Sequence, residues 1–458
     1  MPTQCKPLSF VFQGFQRRRI TAAFDGGSIT SNAGALLLRE IDRVVGLFDR
    51  VAACFRDHRD PRLRVHALRT LLAQRITGIA LGYEDLNDHD DLRHDPLLAL
   101  LADTLEGRRN GCAPLAGKST LQRLEHAPAG GEPGRYDRID HDPDALQALL
   151  VELFIDLWQG KPPSRLVLDI DSTDDEVHGS QEGRRFHGYY GHHCFLPLYI
   201  TCGGRPLFAL LRPGNSDPAA GAVEALDGVI ARLRQAWPWL KILLRADSAY
   251  AREGLLAWCE DNRVDYVIGV AKNSRLVGKI GGELAKAKTE AERHGRPARR
   301  FAEFLYATRK SWSRERRLVA KAEHLPGKAN PRFVVTSLPA DTFSARTVYE
   351  RVYCPRGNME NTIKEQQLDL FSDRTSASRF DANQLRVLFS AFASILFDVL
   401  RRALVGTRLA RATAGTLRLK LLKIGARVTV SVRRIRVAMD SAHPSAAAFA
   451  RVHARLRG

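Results

Sequence analysis

Arg165-Leu-Val-Leu-Asp-Ile-Asp171-Ser-Thr173 marks the point where the chain changes character. Before it, apolar residues recur at helical spacing. From 166 to 171 they form a short apolar run of the kind a buried strand makes. Working outward, residues 194–202 and 206–212 read as two further strands joined by a tight turn at Gly203-Gly204. Beyond them, 218–237 is helical, 241–246 a strand, 252–262 a helix and 264–270 a strand. An antiparallel start followed by alternating units predicts an α/β sheet layered with helices. Asp171 then ends the first strand, and Asp247 stands just past the fourth.

That succession of elements is the order of a ribonuclease-H-like core, and the flanks differ from it. Between Thr30 and about residue 125 the periodicity is helical, with Ser31-Asn32 placed to cap a helix over Leu36–Val45. Further helices are expected at 65–79, 96–105 and 119–125, the last capped by Ser119. Residues 127–134, rich in Gly and Pro, are a candidate linker, and a helix at 143–158 leads into the core. A very basic piece from about 273 to 335 interrupts the alternation, with strand-like runs at 317–321 and 332–337. Helix returns at 349–370. The long core helix is expected at 381–405, and its most apolar part, 387–397, is too short to span a bilayer. The expected layout is a mostly helical, all-α N-terminal domain over 1–135, a core over 160–272 and 341–405, a β-rich basic insertion over 273–340, and a basic, helical C-terminal region over 406–458.

A net charge of +19 over 458 residues favours a polyanionic partner, nucleic acid first, over a membrane surface. Cys5, Cys54, Cys112, Cys194, Cys202, Cys259 and Cys354 contain no C-x-x-C pair, which argues against a zinc ribbon or a redox motif and fits a reducing cytosol. The N-terminus has no apolar signal core. Arg17-Arg18-Arg19, near Phe10, Phe12 and Phe15, read equally as a solvated strand flank or as a DNA contact.

A third acid stands in Tyr353-Cys-Pro-Arg356-Gly-Asn-Met-Glu360-Asn-Thr-Ile-Lys364. Pro355 and Gly357 put the start of its helix near Asn358, leaving Tyr353 and Arg356 on the loop that leads in. Two carboxylates on strand ends and one on a helix are what a two-metal phosphoryl-transfer site needs. Mg²⁺ takes few carboxylates and keeps positions open for phosphate oxygens and water. Paired ions then clamp the attacking and leaving oxygens of an in-line displacement. Arg356 and Lys364 are cations beside that acid, able to hold phosphates. The plainer readings are water-exposed acids at strand ends and an ordinary Glu360–Lys364 surface pair.

Together these residues resemble a DDE transposase of bacterial insertion sequences, in the branch with a Tyr-x-x-Arg-x-x-x-Glu-x-x-x-x-x-x-Lys signature. Tyr353, Arg356 and Glu360 match its spacing; Gln367 stands where the signature lysine would fall, and Lys364 is the nearest substitute. The string around Glu360 is similar to the insertion-sequence 1380 group. The resemblance implies that Asp171, Asp247 and Glu360 hold two Mg²⁺ ions, with Mn²⁺ able to substitute, and that Asp169 is the fallback for Asp171. It implies cut-and-paste DNA transposition: cleavage at element ends, then attack of the freed 3′-hydroxyl on target DNA. Its partners would be double-stranded DNA, both terminal inverted repeats and target, and a second copy of the chain. No membrane is implied, and the place of action is the bacterial cytoplasm, on the nucleoid. A metal-dependent nuclease on the same fold and an inactive DNA-binding regulator are the alternatives.

Three other features call for a reading. Gly117-Lys118-Ser119 resembles the end of a phosphate-binding loop, but Cys112 stands where that loop needs glycine. His187, His192, His193 and Cys194 lack a second ligand pair at usable spacing and read as a polar rim rather than a zinc site. Trp312, beside Arg314, Arg316 and Arg317, reads either as the core of a small β domain or, through the resemblance, as the platform for a flipped base. The three arginines are expected on DNA phosphates.

Overall fold

The computed structural model of the chain describes residues 9–106, 111–130, 134, 138–158 and 160–457. Cys5 and residues 131–133 of the expected linker lie outside them. The chain forms two compact units, Asp142–Ala391 and a second one that joins Met1–His141 to Phe392–Gly458.

The first of these is built on one sheet of nine strands: β1 (Arg165–Ser172), β2 (Leu198–Cys202), β3 (Arg205–Leu210), β4 (Lys241–Ala246), β5 (Val264–Val270), β6 (Ala298–Tyr306), β7 (Arg316–Leu325), β8 (Lys328–Ala329) and β9 (Arg332–Thr336). Their spatial order is β3-β2-β1-β4-β5-β9-β7-β6, with β8 on β7. β1, β4 and β5 run parallel, and β2 and β3 fold back antiparallel beside them. Parallel strands are buried on both faces, which is why they read as nearly continuous apolar runs. Leu166, Leu168 and Ile170 of β1 join Ile242, Leu244, Val264, Tyr266 and Ile268 in the larger core. The helices Pro143–Asp156, Ala222–Ala236 and Glu253–Asp261 cover that face through residues such as Phe154, Leu226 and Leu256. Val167, Leu243 and Val267 point to the opposite face, against Val348 and Tyr349.

Two strand readings differ from expectation. The single strand expected over 194–202 is interrupted at Pro197, which has no N–H for a ladder. His192–Phe195 turns away instead into a small sheet with Asp175–Glu176 and Arg185–His187. The basic piece after β5 begins with helices, Ser274–Lys279 and Gly281–His294. Its strands β6, β7 and β9 then continue the main sheet, because the free edge of β5 offers unpaired backbone groups that β9 satisfies.

The other unit is not all-α. It holds the helices Leu36–Val45, Leu47–Ala53, Leu68–Ala80, Pro96–Leu101 and Lys118–Glu125. It also holds an antiparallel ribbon, Ser9–Phe15 with Arg18–Ala23, and a sheet in which Ile29–Thr30 pairs with the tail strands Ala426–Ser431 and Arg434–Met439. The C-terminal region is therefore part strand, closing with the helix Ala446–Arg457. The two ends of the chain interlock here: a Cβ on Gly34 would lie 1.7 Å from the Leu421 carbonyl oxygen, so only glycine fits. Neither expected cap serves. The Asn32 side chain bonds Tyr83 and Asp95, and the backbone N–H of Lys118 donates to Asp90 at 3.0 Å in place of a Ser119 cap. The helix Phe380–Ala403 is long and apolar enough to cross a membrane, but 83% of its apolar window is buried in protein, as a core helix requires.

Candidate active site

β1 and β4 are parallel neighbours with Asp169 opposite Arg245. Side chains alternate along a strand, so Asp169 and Asp171 share one face of β1, and Arg245 shares it on β4. Asp169 is buried, and both its oxygens are taken: Arg245 donates from Nε at 2.8 Å and from Nη2 at 2.7 Å. The remaining arm of Arg245, Nη1, donates to the Val352 carbonyl at 2.9 Å. One guanidinium thus ties β1 and β4 to the segment that carries Tyr353.

Two residues further along, Asp171 accepts from its neighbour Ser172 N–H at 3.0 Å and from Arg356 Nη1 at 3.0 Å. Burial, and then the nearby Asp247, push its carboxyl up to about 7, with Arg356 opposing them. Asp247 accepts the Ala249 N–H at 2.9 Å, capping the short turn Ser248–Tyr250. Tyr250 is fully buried and its hydroxyl lies 2.9 Å from Ser172 Oγ, joining the two strand ends.

Glu360 sits on the helix Asn358–Lys364, and its side chain is 57% exposed. Arg356 Nη2 donates to Glu360 at 3.2 Å, so the same guanidinium bridges Asp171 and Glu360. Tyr353 and Arg356 were expected on a loop. They lie instead in a continuous run of helical turns, Val348–Tyr353 and Cys354–Gly357, that leads straight into the Glu360 helix. Pro355 is tolerated because it opens one of those turns. Gly269 on β5 makes room for this run: a Cβ there would meet the Tyr353 hydroxyl at 2.6 Å. Lys364 is exposed at the end of the helix, and Gln367 donates to the Asp174 carbonyl at 2.9 Å.

The expected DNA contacts of the basic piece have other surroundings. Trp312 is 8% exposed and belongs to the core, edge-on to Tyr306 with the Arg316 guanidinium over its ring. Arg316 is buried and donates to Glu260 at 2.7 Å and Glu253 at 2.7 Å. Arg314 pairs with Glu260, and Arg317 donates to the Leu338 and Phe343 carbonyls at 2.7 Å each. Trp312 and Arg316 are thus packed into the protein's own interior, and Arg317 is engaged by two backbone carbonyls and Glu303. The histidines near 190 do not converge either; His192 lies 2.9 Å from Asp174. Among the described residues, no group of three or more His, Cys, Asp and Glu side chains is placed to hold a metal ion.

The model of the family described as transposase DDE domain group 1 matches residues 12–458. The chain belongs to the DDE transposase family. No curated protein matches its sequence. Among solved structures, a piggyBac transposase in a synaptic complex with hairpin DNA is similar, at a TM-score of 0.38 and 11% identity, over 85% of this chain and 79% of that one. Transposases of this family use divalent metal ions. By donor type, the three acids of this transposase suit such an ion. Asp171, Asp247 and Glu360 carry hard oxygen donors; the raised affinity of Asp171 for a proton comes first from its burial and only then from the charge of Asp247.

Arg245, Tyr250 and Gly269 are the residues that the sequence reading passed over. Arg245 was legible in principle. Arg-x-Asp on one strand and Asp-x-Asp on its parallel neighbour put an arginine level with an aspartate once the two strands pair in register.

Proposed function

We propose that this transposase cuts and pastes DNA, with Asp171, Asp247 and Glu360 as its metal-holding acids. The observation behind this reading is the Arg356 bridge, which draws together Asp171 and Glu360 from positions 189 residues apart while Asp247 acts on Asp171. The strand order β3-β2-β1-β4-β5 supports it, because it is that of a ribonuclease-H-like core with the acids on neighbouring parallel strands. Two Mg²⁺ ions, or Mn²⁺ in their place, would activate water and stabilise the leaving oxygen when bound by these acids.

The chain's own residues then have distinct tasks. Arg245 fixes the two strand ends and the Val352 carbonyl, setting where Asp171 and Arg356 stand. Arg356 neutralises the acids in the resting protein, and its planar fork suits phosphate oxygens equally well. Tyr353, seated against Gly269, holds the run that presents Arg356. Lys364, exposed beside Glu360, is a second cation for the DNA backbone. The Tyr353, Arg356 and Glu360 spacing favours the insertion-sequence 1380 branch, with Gln367 as its departure. Partners on this reading are duplex DNA, as element ends and target, and a second copy of the chain, acting in the cytoplasm.

The test is cleavage and joining on duplexes made from the DNA that brackets the reading frame. Asp171→Asn, Asp247→Asn and Glu360→Gln should each abolish Mg²⁺-dependent cleavage while end binding stays intact or tightens. Chelation by EDTA should stop cleavage, and Ca²⁺ should support binding without turnover. Cleavage without joining would make the chain a nuclease. Binding with no cleavage in any divalent metal would make it a regulator. Full activity of Asp171→Asn would remove that residue from the site.

A further inference from the structure

Two β-ribbons in the unit that joins the chain ends have no described role. In the first, Ser9–Phe15 pairs with Arg18–Ala23, with Phe10 opposite Ala22 and Phe12 opposite Ile20. These four side chains share one apolar face, yet Phe10 is 43% and Phe12 57% exposed; beyond a register shift, Phe15 lies opposite Arg18 and is 64% exposed. Arg17, Arg18 and Arg19 form the ribbon's tip, all exposed. In the second, Ala426–Ser431 pairs with Arg434–Met439. Val432 is fully exposed at its tip, followed by Arg433, Arg434 and Arg436, again exposed. None of these six arginines makes an ion pair among the described residues.

The second ribbon is held at its base by Ile29–Thr30, with its tip left exposed; the first is a sheet of two strands only, which is marginal in water, and its uncovered aromatic side chains make a surface to be covered. The charge decides by what. The centre of a protein–protein interface is depleted in charge, whereas here cations crowd both tips. A two-stranded ribbon fits the major groove of duplex DNA, about 12 Å wide, where arginine meets guanine or phosphate and apolar side chains meet the thymine methyl. We propose that the two ribbons, tipped by Arg17-Arg18-Arg19 and by Val432-Arg433-Arg434, are a duplex-DNA contact of this transposase. They are distinct from the acids that would do the chemistry. The inference rests on the reading that the chain acts on DNA.

The test uses the full chain and a short duplex from the DNA flanking the reading frame, with a duplex of scrambled sequence beside it. Binding is measured by fluorescence anisotropy across a series of NaCl concentrations. The variants are Arg17→Ala/Arg18→Ala/Arg19→Ala and Arg433→Ala/Arg434→Ala/Arg436→Ala. Each arginine on a phosphate adds about 0.9 to the slope of log affinity against log salt, so each triple variant should flatten it by up to about 2.7. Phe12→Ser/Phe15→Ser should weaken binding with the slope unchanged. Wild-type slopes in both triple variants overturn the proposal. So does a Phe12→Ser/Phe15→Ser variant that binds DNA normally but sediments as a smaller species, since the apolar face would then join two copies. Cleavage of the same duplexes separates the two readings. Flattened slopes with no cleavage by wild type remove the transposition reading and leave the ribbons; cleavage with unchanged slopes does the reverse.

Discussion

The arginines around β7 and those at the tips of the two ribbons have opposite fates. Around β7, Arg314, Arg316 and Arg317 meet Glu253 and Glu260 of one helix, Glu303 of β6 and the backbone carbonyls of Leu338 and Phe343. On the ribbons, Arg17–Arg19 and Arg433, Arg434 and Arg436 meet no acid among the described residues. In the β7 cluster the fold buries Arg316 and covers most of Arg317, while Arg314 stays half exposed with Glu260 as its partner. A count of basic residues reports net charge. Availability to a phosphate depends on which acids the fold brings alongside, and Glu253 and Glu260 reach β7 from a helix that closes some fifty residues earlier.

The comparison is tested hardest at Trp312. As a core residue, its replacement by alanine should cost about 3–5 kcal/mol, read as a lower denaturation midpoint. Only a base-stacking platform would leave stability alone. Arg316→Ala follows. It strips a buried guanidinium from two glutamates, and those keep some solvent access, with side chains 27% and 18% exposed. The expected loss is therefore about 3 kcal/mol, at the low end for breaking a buried pair. A variant as stable as wild type would show that the pair is not formed.

The central sheet was legible because its parallel strands are apolar runs ended by acids, and such runs have few other uses. The pair of glycines between β2 and β3 marked their turn equally well. What escaped were consequences of pairing. Pro197 removes a donor only if the strand continues past it, and β9 extends the sheet only because β5 leaves an edge. In the candidate site, Glu360 announced itself through Tyr353 and Arg356. Arg245 did not, since its partner Asp169 is adjacent only after β1 and β4 align. The exposed ribbons were half legible: their arginines stood out, but that no acid among the described residues reaches them is a property of the folded chain.

A pH series sharpens the contrast with a smaller effect. Hydrogen bonding from Arg316 holds Glu253 at about 2, below the usual carboxylate range. An acid lowered in this way stabilises the fold fully above its unfolded value of 4.5 and loses that contribution as pH falls toward 2. The difference in melting temperature between wild type and Glu253→Gln should thus be full at neutral pH and shrink through that window. A difference that grew on acidification would reverse the assigned sign.

The smallest expected effect falls on the ribbons. Replacing Arg17, Arg18 and Arg19 with alanine removes no ion-pair partner among the described residues and opens no cavity, because all three side chains are exposed. Surface changes of this kind usually shift stability by no more than about 0.5 kcal/mol. Less like-charge repulsion at the tip even favours the folded ribbon slightly, most at low salt, where screening is weakest. The triple variant should therefore melt with wild type, while Arg316→Ala alone melts well below it. A large loss in the triple variant would mean that these arginines have an intramolecular partner after all. The distinction between arginines the fold consumes and arginines it leaves for DNA would then fail.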